Sequence, residues 1–108
     1  MTEALPRPLA AYFAAATHYD IEAMLVAFAE DAIVKDEGQT MRGRAAIRAW
    51  LEETRRKYQP SLTVVDVNDT HGTIAVATKV AGNFPGSPIQ LDFTFRLAGE
   101  KIASLEIG

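Results

Sequence analysis

The sequence predicts an α+β domain, with three helices in the first half and a run of hairpin-connected strands in the second. Three observations carry this. Apolar residues recur at helical spacing at Leu9, Tyr12, Phe13 and Ala16, again at Met24, Leu25 and Phe28, and again at Ile47, Trp50 and Leu51. After Leu62 the chain turns strand-like, and it is cleanest where Leu91, Phe93, Phe95 and Leu97 alternate with Asp92, Thr94 and Arg96. Turn signals at Asp69-Thr70-His71-Gly72 and Ala98-Gly99-Glu100 separate the strand-like runs. With no repeat, linker or low-complexity tract, residues 1–108 are expected to form one domain.

The first helix begins near Leu5. Pro6 and Pro8 fit only its first turn, where proline's missing N–H is harmless. It fades between Thr17 and Tyr19. Asp20 is the expected N-cap of a second helix, its carboxylate accepting from free N–H groups of the first turn. Ile21, Met24, Leu25 and Phe28 share a face of that helix, which is expected to end near Glu30. Ala32–Asp36 reads as a short strand, Gly38 as a turn and Thr40–Arg42 as a second short strand. Gly43 precedes the third helix, with Ile47, Trp50, Leu51 and Thr54 on one face and Tyr58 a turn further, and Pro60 stops it. Leu62–Val67 and Thr73–Val80 form a hairpin, Gly82–Pro88 an irregular loop, and Ala103, Leu105 and Ile107 alternate along the last strand.

Composition narrows the chemistry. Zero cysteine removes disulfides, thiolate nucleophiles and thiolate metal sites. A net charge of −3 argues against a nucleic-acid binder. The longest stretches without Asp, Glu, Lys or Arg have 12 residues, short of the ~18 needed to span a bilayer. Met1-Thr2-Glu3-Ala4-Leu5 lacks the basic and apolar regions of a signal peptide, so a cytoplasmic protein is expected. His18 and His71 have no metal-type partner at ligand spacing, and no nucleophile-elbow motif surrounds Ser61, Ser87 or Ser104. No metal and no cofactor is expected.

The run Phe28-Ala29-Glu30-Asp31-Ala32-Ile33-Val34-Lys35-Asp36, then Gly43, then Ala46-Ile47-Arg48-Ala49-Trp50 resembles the nuclear transport factor 2-like superfamily. More narrowly it is similar to the SnoaL-like and ketosteroid-isomerase-like branch, over nearly the whole chain. That family often has Gly-Asp where this chain has Tyr19-Asp20. The resemblance implies a cone-shaped α+β barrel, with three helices packed on a strongly bent, mostly antiparallel sheet and a pocket between sheet and long helix. It implies isomerase, cyclase, dehydratase or hydrolase chemistry, or a non-catalytic binding or adaptor role, so function rests on the site.

Asp36 is the first candidate. Strand parity puts it on the face of Ala32 and Val34, where desolvation raises a carboxyl's pKa and strengthens it as a base; the alternative is a solvated strand-end carboxylate. The resemblance gives Asp36 the role of proton-shuttling base and Tyr12 that of donor to the developing oxyanion. Tyr12 also fits a plain core position, on the apolar face of its helix. The family's third residue, a protonated acid on a late strand, has no clear match: Asp92 faces away from Phe93 and Phe95 and reads as a solvent-facing sheet residue. Trp50, Phe13, Phe28, Val34, Tyr58, Thr78, Phe84, Phe93 and Phe95 are the candidate pocket lining. Arg42 and Arg44, beside Gly43, are candidates for a pocket mouth that greets an anionic ligand. Seven of eleven basic residues lie between Lys35 and Lys57, most of them expected on solvated helix surface.

Two functions remain open. As an enzyme, the protein takes a small apolar or carbonyl-containing molecule, and Asp36 moves a proton α to the carbonyl. As a binding or accessory module, it holds a ligand without chemistry, and Asp36 is solvated or paired with an arginine. Thr73, Ala75, Ala77 and Ala81, interrupted by Lys79, give a sheet face compatible with a homodimer.

Overall fold

A computed structural model describes residues 5–108; Met1–Ala4, read above for a targeting signal, lie outside them. Helix α1 (Arg7–Ala16) buries Leu9, Tyr12, Phe13 and Ala16, the face that the spacing predicts. Helix α2 (Ile21–Val26) is capped by Asp20, whose Oδ1 accepts the Ala23 N–H at 3.2 Å. It ends four residues before the expected Glu30. The Ala27 carbonyl accepts the Ile102 N–H at 2.8 Å, and Phe28 lies beside Ile102 as the first residue of strand β1 (Phe28–Asp36). A helix this short has little stability of its own, so pairing with the sheet decides where it stops.

Strand β2 (Gln39–Arg42) returns antiparallel to β1 through a two-residue turn, Glu37-Gly38, with φ of 52° and 74°. Such turns need positive φ at both central positions, which suits Gly38 and strains Glu37. Helix α3 (Gly43–Tyr58) buries Ile47 and Leu51. Its Arg44 guanidinium donates to the Phe28 carbonyl from Nε (3.2 Å) and Nη2 (2.6 Å), which fastens the start of the helix to the start of β1. Arg55, Arg56 and Lys57 occupy its last turn, where the helix dipole favours cations.

Strands β3 (Ser61–Thr70), β4 (Thr73–Ala81), β5 (Ile89–Ala98) and β6 (Lys101–Ile107) complete a six-stranded sheet in the order β2-β1-β6-β5-β4-β3. Among the described residues, only the β1–β6 pair is parallel. Register shifts interrupt the β1–β6, β3–β4 and β5–β6 ladders. Each adds local twist and helps curl the sheet around the helices. The shift in β6 also corrects the alternation expected there. Ser104 pairs with Arg96 but Ile102 with Leu97, so Ile102 and not Ala103 reaches the core beside Leu105.

The outcome is the α+β cone, with the core inside the curl. At its centre Tyr12 meets the rings of Phe13, Phe28 and Phe95 edge-on, with centroids 5.2, 5.7 and 5.9 Å away. Among the described residues, no helix is long and apolar enough to cross a membrane.

Candidate functional site

A cavity of about 250 Å³ lies between the curled sheet, α3 and the end of α1. Strand β1 brings Asp36 to it, α1 brings Tyr12, and α3 brings Trp50, Thr54 and Tyr58, which recur at helical spacing along one face. Leu62, Val80, Leu91 and Phe93 form the sheet side.

Asp36 is half-buried, and its Oδ2 accepts the Trp50 indole N–H at 3.1 Å. Desolvation holds its carboxyl above the usual range. The Trp50 hydrogen bond opposes that shift, the neighbouring Glu37 charge adds to it, and the Glu37 backbone N–H opposes it. Tyr12 is only 1% exposed. Among the described residues its hydroxyl has no hydrogen-bond partner, yet no fully buried side-chain oxygen or nitrogen lacks one. Tyr12 is among the residues that line the cavity. Burial first, then Tyr19 and Asp36, push its pKa far up, so Tyr12 stays a neutral donor at physiological pH.

Three further residues shape the site without having been candidates. Tyr19 follows α1 with φ 48° and lines the cavity. Burial raises its pKa, Arg55 draws it down, and Asp36 raises it. The available signal was an aromatic residue directly before Asp20, where glycine is the cheaper occupant of a left-handed turn. Glu37 also lines the cavity, because the positive φ of its turn breaks the strand parity that would point it away. The Tyr58 hydroxyl donates to Glu37 Oε1 at 3.2 Å, and the Tyr58 ring meets Phe84 edge-on at 5.8 Å. Gly82 is the third: a Cβ there would stand 2.6 Å from the Tyr58 carbonyl oxygen. Its absence lets the loop close on the end of α3, where Asn83 N–H donates to that carbonyl at 2.7 Å. Phe84 and the exposed Ile89 thereby join Glu37 and Tyr58 around the mouth.

The structure brings Asp36, Tyr12, Trp50, Tyr58, Phe84 and Phe93 to one cavity. Phe13, Phe28, Val34, Thr78 and Phe95 lie in the core instead of on its wall. Phe28 starts the strand that Asp36 ends, Phe13 and Phe95 pack on Tyr12, and the Thr78 hydroxyl donates to the Val76 carbonyl at 3.0 Å. Arg42 and Arg44 do not stand at the mouth. Strand β2 carries Arg42 back to a place opposite Ile33, away from the turn that holds Asp36 and Glu37, and Arg44 is engaged by Phe28. Asp92 is exposed on the outer sheet face, paired with Ala77. Among the described residues, no group of three or more His, Asp or Glu is placed to hold a metal. The chemistry that the arrangement offers is a desolvated carboxylate and a neutral phenol facing one apolar volume, a base for a carbon acid and a donor for the oxyanion that forms.

The sequence profile of the SnoaL-like domain matches residues 9–105. No curated protein matches the chain. A protein from Sinorhizobium meliloti assigned as a polyketide cyclase is 34% identical, with TM-score 0.93 over 96% of this chain and 95% of that one. A protein with a ketosteroid isomerase-like fold from Catenulispora acidiphila, in complex with trimethylamine, is 24% identical, with TM-score 0.83 over 97% and 86%. One from Xanthomonas campestris, also assigned as a polyketide cyclase, is 22% identical, with TM-score 0.80 over 93% and 85%.

Proposed function

The chain belongs to the SnoaL-like domain family of the nuclear transport factor 2-like superfamily, and on that footing we propose that it is an isomerase- or cyclase-type enzyme acting on a small carbonyl compound. Asp36 removes a proton α to the carbonyl, Tyr12 donates to the enolate oxygen, and the proton returns at another carbon. One observation carries the reading: the Asp36 carboxylate is partly desolvated at the wall of an apolar cavity, with the indole N–H of Trp50 as its side-chain partner and no arginine. That disfavours the binding-module alternative, which expects a solvated or arginine-paired carboxylate. The resemblance to the Sinorhizobium protein supports the reaction class, and the trimethylamine held by the Catenulispora protein accords with a small-molecule site. With no acid matching the family's late-strand residue, Tyr12 is the main oxyanion donor, which favours substrates more acidic than a steroid ketone.

The test needs no natural substrate. Nitrobenzisoxazole loses its ring C–H proton to a carboxylate base, the C–H electron pair completes a nitrile as the N–O bond breaks, and a coloured cyanonitrophenolate forms. Wild-type protein should catalyse this elimination above the rate of free acetate. Asp36→Asn should lower the rate by about 10²–10⁴-fold, and Tyr12→Phe by roughly 10–100-fold. A rate indifferent to Asp36→Asn would overturn the reading.

We also propose that the outer sheet face joins two copies of the chain. Ala75 and Ala77 on β4 lie between strands bearing Asp66 and Asn68 on one side and Asp92 and Thr94 on the other. Lys79 lies on the same face, so a two-fold axis can bring it to a partner's aspartate. A monomer by light scattering at micromolar concentration would refute this.

A further inference from the structure

The charge lining the cavity has one sign. Asp36 and Glu37 reach it, and no lysine, arginine or histidine does among the described residues. The ion pairs among those residues lie elsewhere, Arg7 with Glu100, Arg48 with Glu22 and Arg56 with Glu53. Among the described residues, Asp36 and Glu37 take side-chain hydrogen bonds only from neutral donors, the Trp50 indole and the Tyr58 hydroxyl. Two cations lie just beyond the lining. Lys57 stands over the Tyr58 ring at 5.8 Å, and Arg55 lies in the outer cleft beyond Tyr19.

Much of the remaining wall is aromatic: Tyr12, Tyr19, Trp50, Tyr58, Phe84 and Phe93. Ring faces carry negative electrostatic potential, and apolar walls lower the local dielectric. An anion entering here is repelled by two carboxylates. A neutral molecule gains only from apolar burial. A cation clothed in alkyl groups gains the same burial, the attraction of the carboxylates and that of the rings. Glu37 strengthens the case, because it occupies a turn position where its backbone is strained and glycine, asparagine or aspartate is preferred. The turn places a carboxylate at the mouth despite that cost, where a charged ligand first meets the protein.

We propose that this cavity selects an organic cation, an alkylammonium group of roughly choline size, over neutral and anionic molecules of the same shape. The proposal rests on the cavity being a ligand site, as in the reading above, but does not require Asp36 to act as a base. Joined to that reading, it names the substrate class: a carbonyl compound that also carries a cationic nitrogen. The positive nitrogen then helps stabilise the enolate, which Tyr12 alone must otherwise hold.

Trp50 is the one tryptophan of the chain and part of the cavity wall, so its fluorescence reports occupancy in the intact protein. The probes are choline, neohexyl alcohol (tert-butyl in place of trimethylammonium) and tert-butylacetate, with calorimetry as a second readout. Choline should bind about tenfold tighter than the alcohol, or more, and the carboxylate most weakly. Glu37→Gln keeps an acceptor for Tyr58, so it should leave the affinity for the alcohol within about twofold while shrinking choline's advantage to about threefold or less. Equal affinities for choline and the alcohol, tighter carboxylate binding, an advantage undiminished in both Glu37→Gln and Asp36→Asn, or no binding of any probe by either readout would overturn the proposal. Equal affinities alongside Asp36-dependent elimination would overturn it alone. Choline selectivity without elimination would remove the general base and leave the cation site.

Discussion

Replacing Asp36 with asparagine should make the protein more stable and less active at once. The asparagine carbonyl can still accept the Trp50 N–H that Asp36 Oδ2 accepts at 3.1 Å. What disappears is a negative charge that desolvation and Glu37 disfavour. The half-open position of Asp36 tempers that penalty through solvent screening. The expected result at neutral pH is a gain in stability read as a higher Tm, each kcal/mol gained raising Tm by roughly 4–8 °C for a domain of this size. Its sign depends on pH. Because the folded pKa is raised, the native state holds more protons than the unfolded one between the two values, and wild-type stability falls as pH rises through that window. The asparagine variant has no such loss. Its advantage should therefore be absent at about pH 3, where both states of the wild type are protonated, and fully present at neutral pH. Thermal melts of the two proteins at both pH values measure this, and the other carboxyl groups cancel in the difference. A variant less stable than wild type at neutral pH, or a gap independent of pH, would refute the account of Asp36 as a desolvated carboxylate.

Trp50→Phe removes the N–H that favours the charged carboxylate, so the acid limb of the elimination pH profile should move to higher pH. Tyr19→Gly should move it to lower pH, because Tyr19 lines both the cavity and the outer cleft and its loss admits water to Asp36; the left-handed backbone relieved there returns about 1 kcal/mol. Tyr12→Phe should change stability by less than about 1 kcal/mol in a denaturant melt, since its hydroxyl has no partner among the described residues. Gly82→Ala should destabilise by roughly 1–3 kcal/mol and weaken probe binding, because its Cβ meets the Tyr58 carbonyl and lifts the loop that carries Phe84.

Period and capping made most of the elements legible: the buried face of α1, the Asp20 cap and the alternation of β5 all stand in the sequence. What long-range pairing decides was not legible. Phe28 fits a helical face by spacing, but Ile102, far along the chain, turns it into strand. Ala103 fits strand alternation, but a register shift gives its place to Ile102. In the site, Asp36, Trp50 and Tyr58 were readable because strand parity and helix spacing aim them directly. Glu37 and Tyr19 were not, since each depends on a positive φ that reverses the direction expected of its side chain. Phe13, Phe28 and Phe95 marked an apolar interior correctly, yet nothing in a sequence separates the core from the wall of a cavity one layer away.

The parallel pairing of β1 with β6 has a kinetic consequence. Strands β2 and β1 form one half of the sheet, β5, β4 and β3 the other, and β6 is the seam between them. The Asp36 carboxylate stands on the first half and most of the sheet wall of the cavity on the second, so neither half holds the cavity alone. Closing the seam requires contacts between residues as distant as Phe28 and Ile102, a loop closure that slows folding. The cavity is therefore complete only once the seam has closed. A chain with hairpin β3–β4 formed and the seam still open lacks the desolvated surroundings that raise the Asp36 pKa.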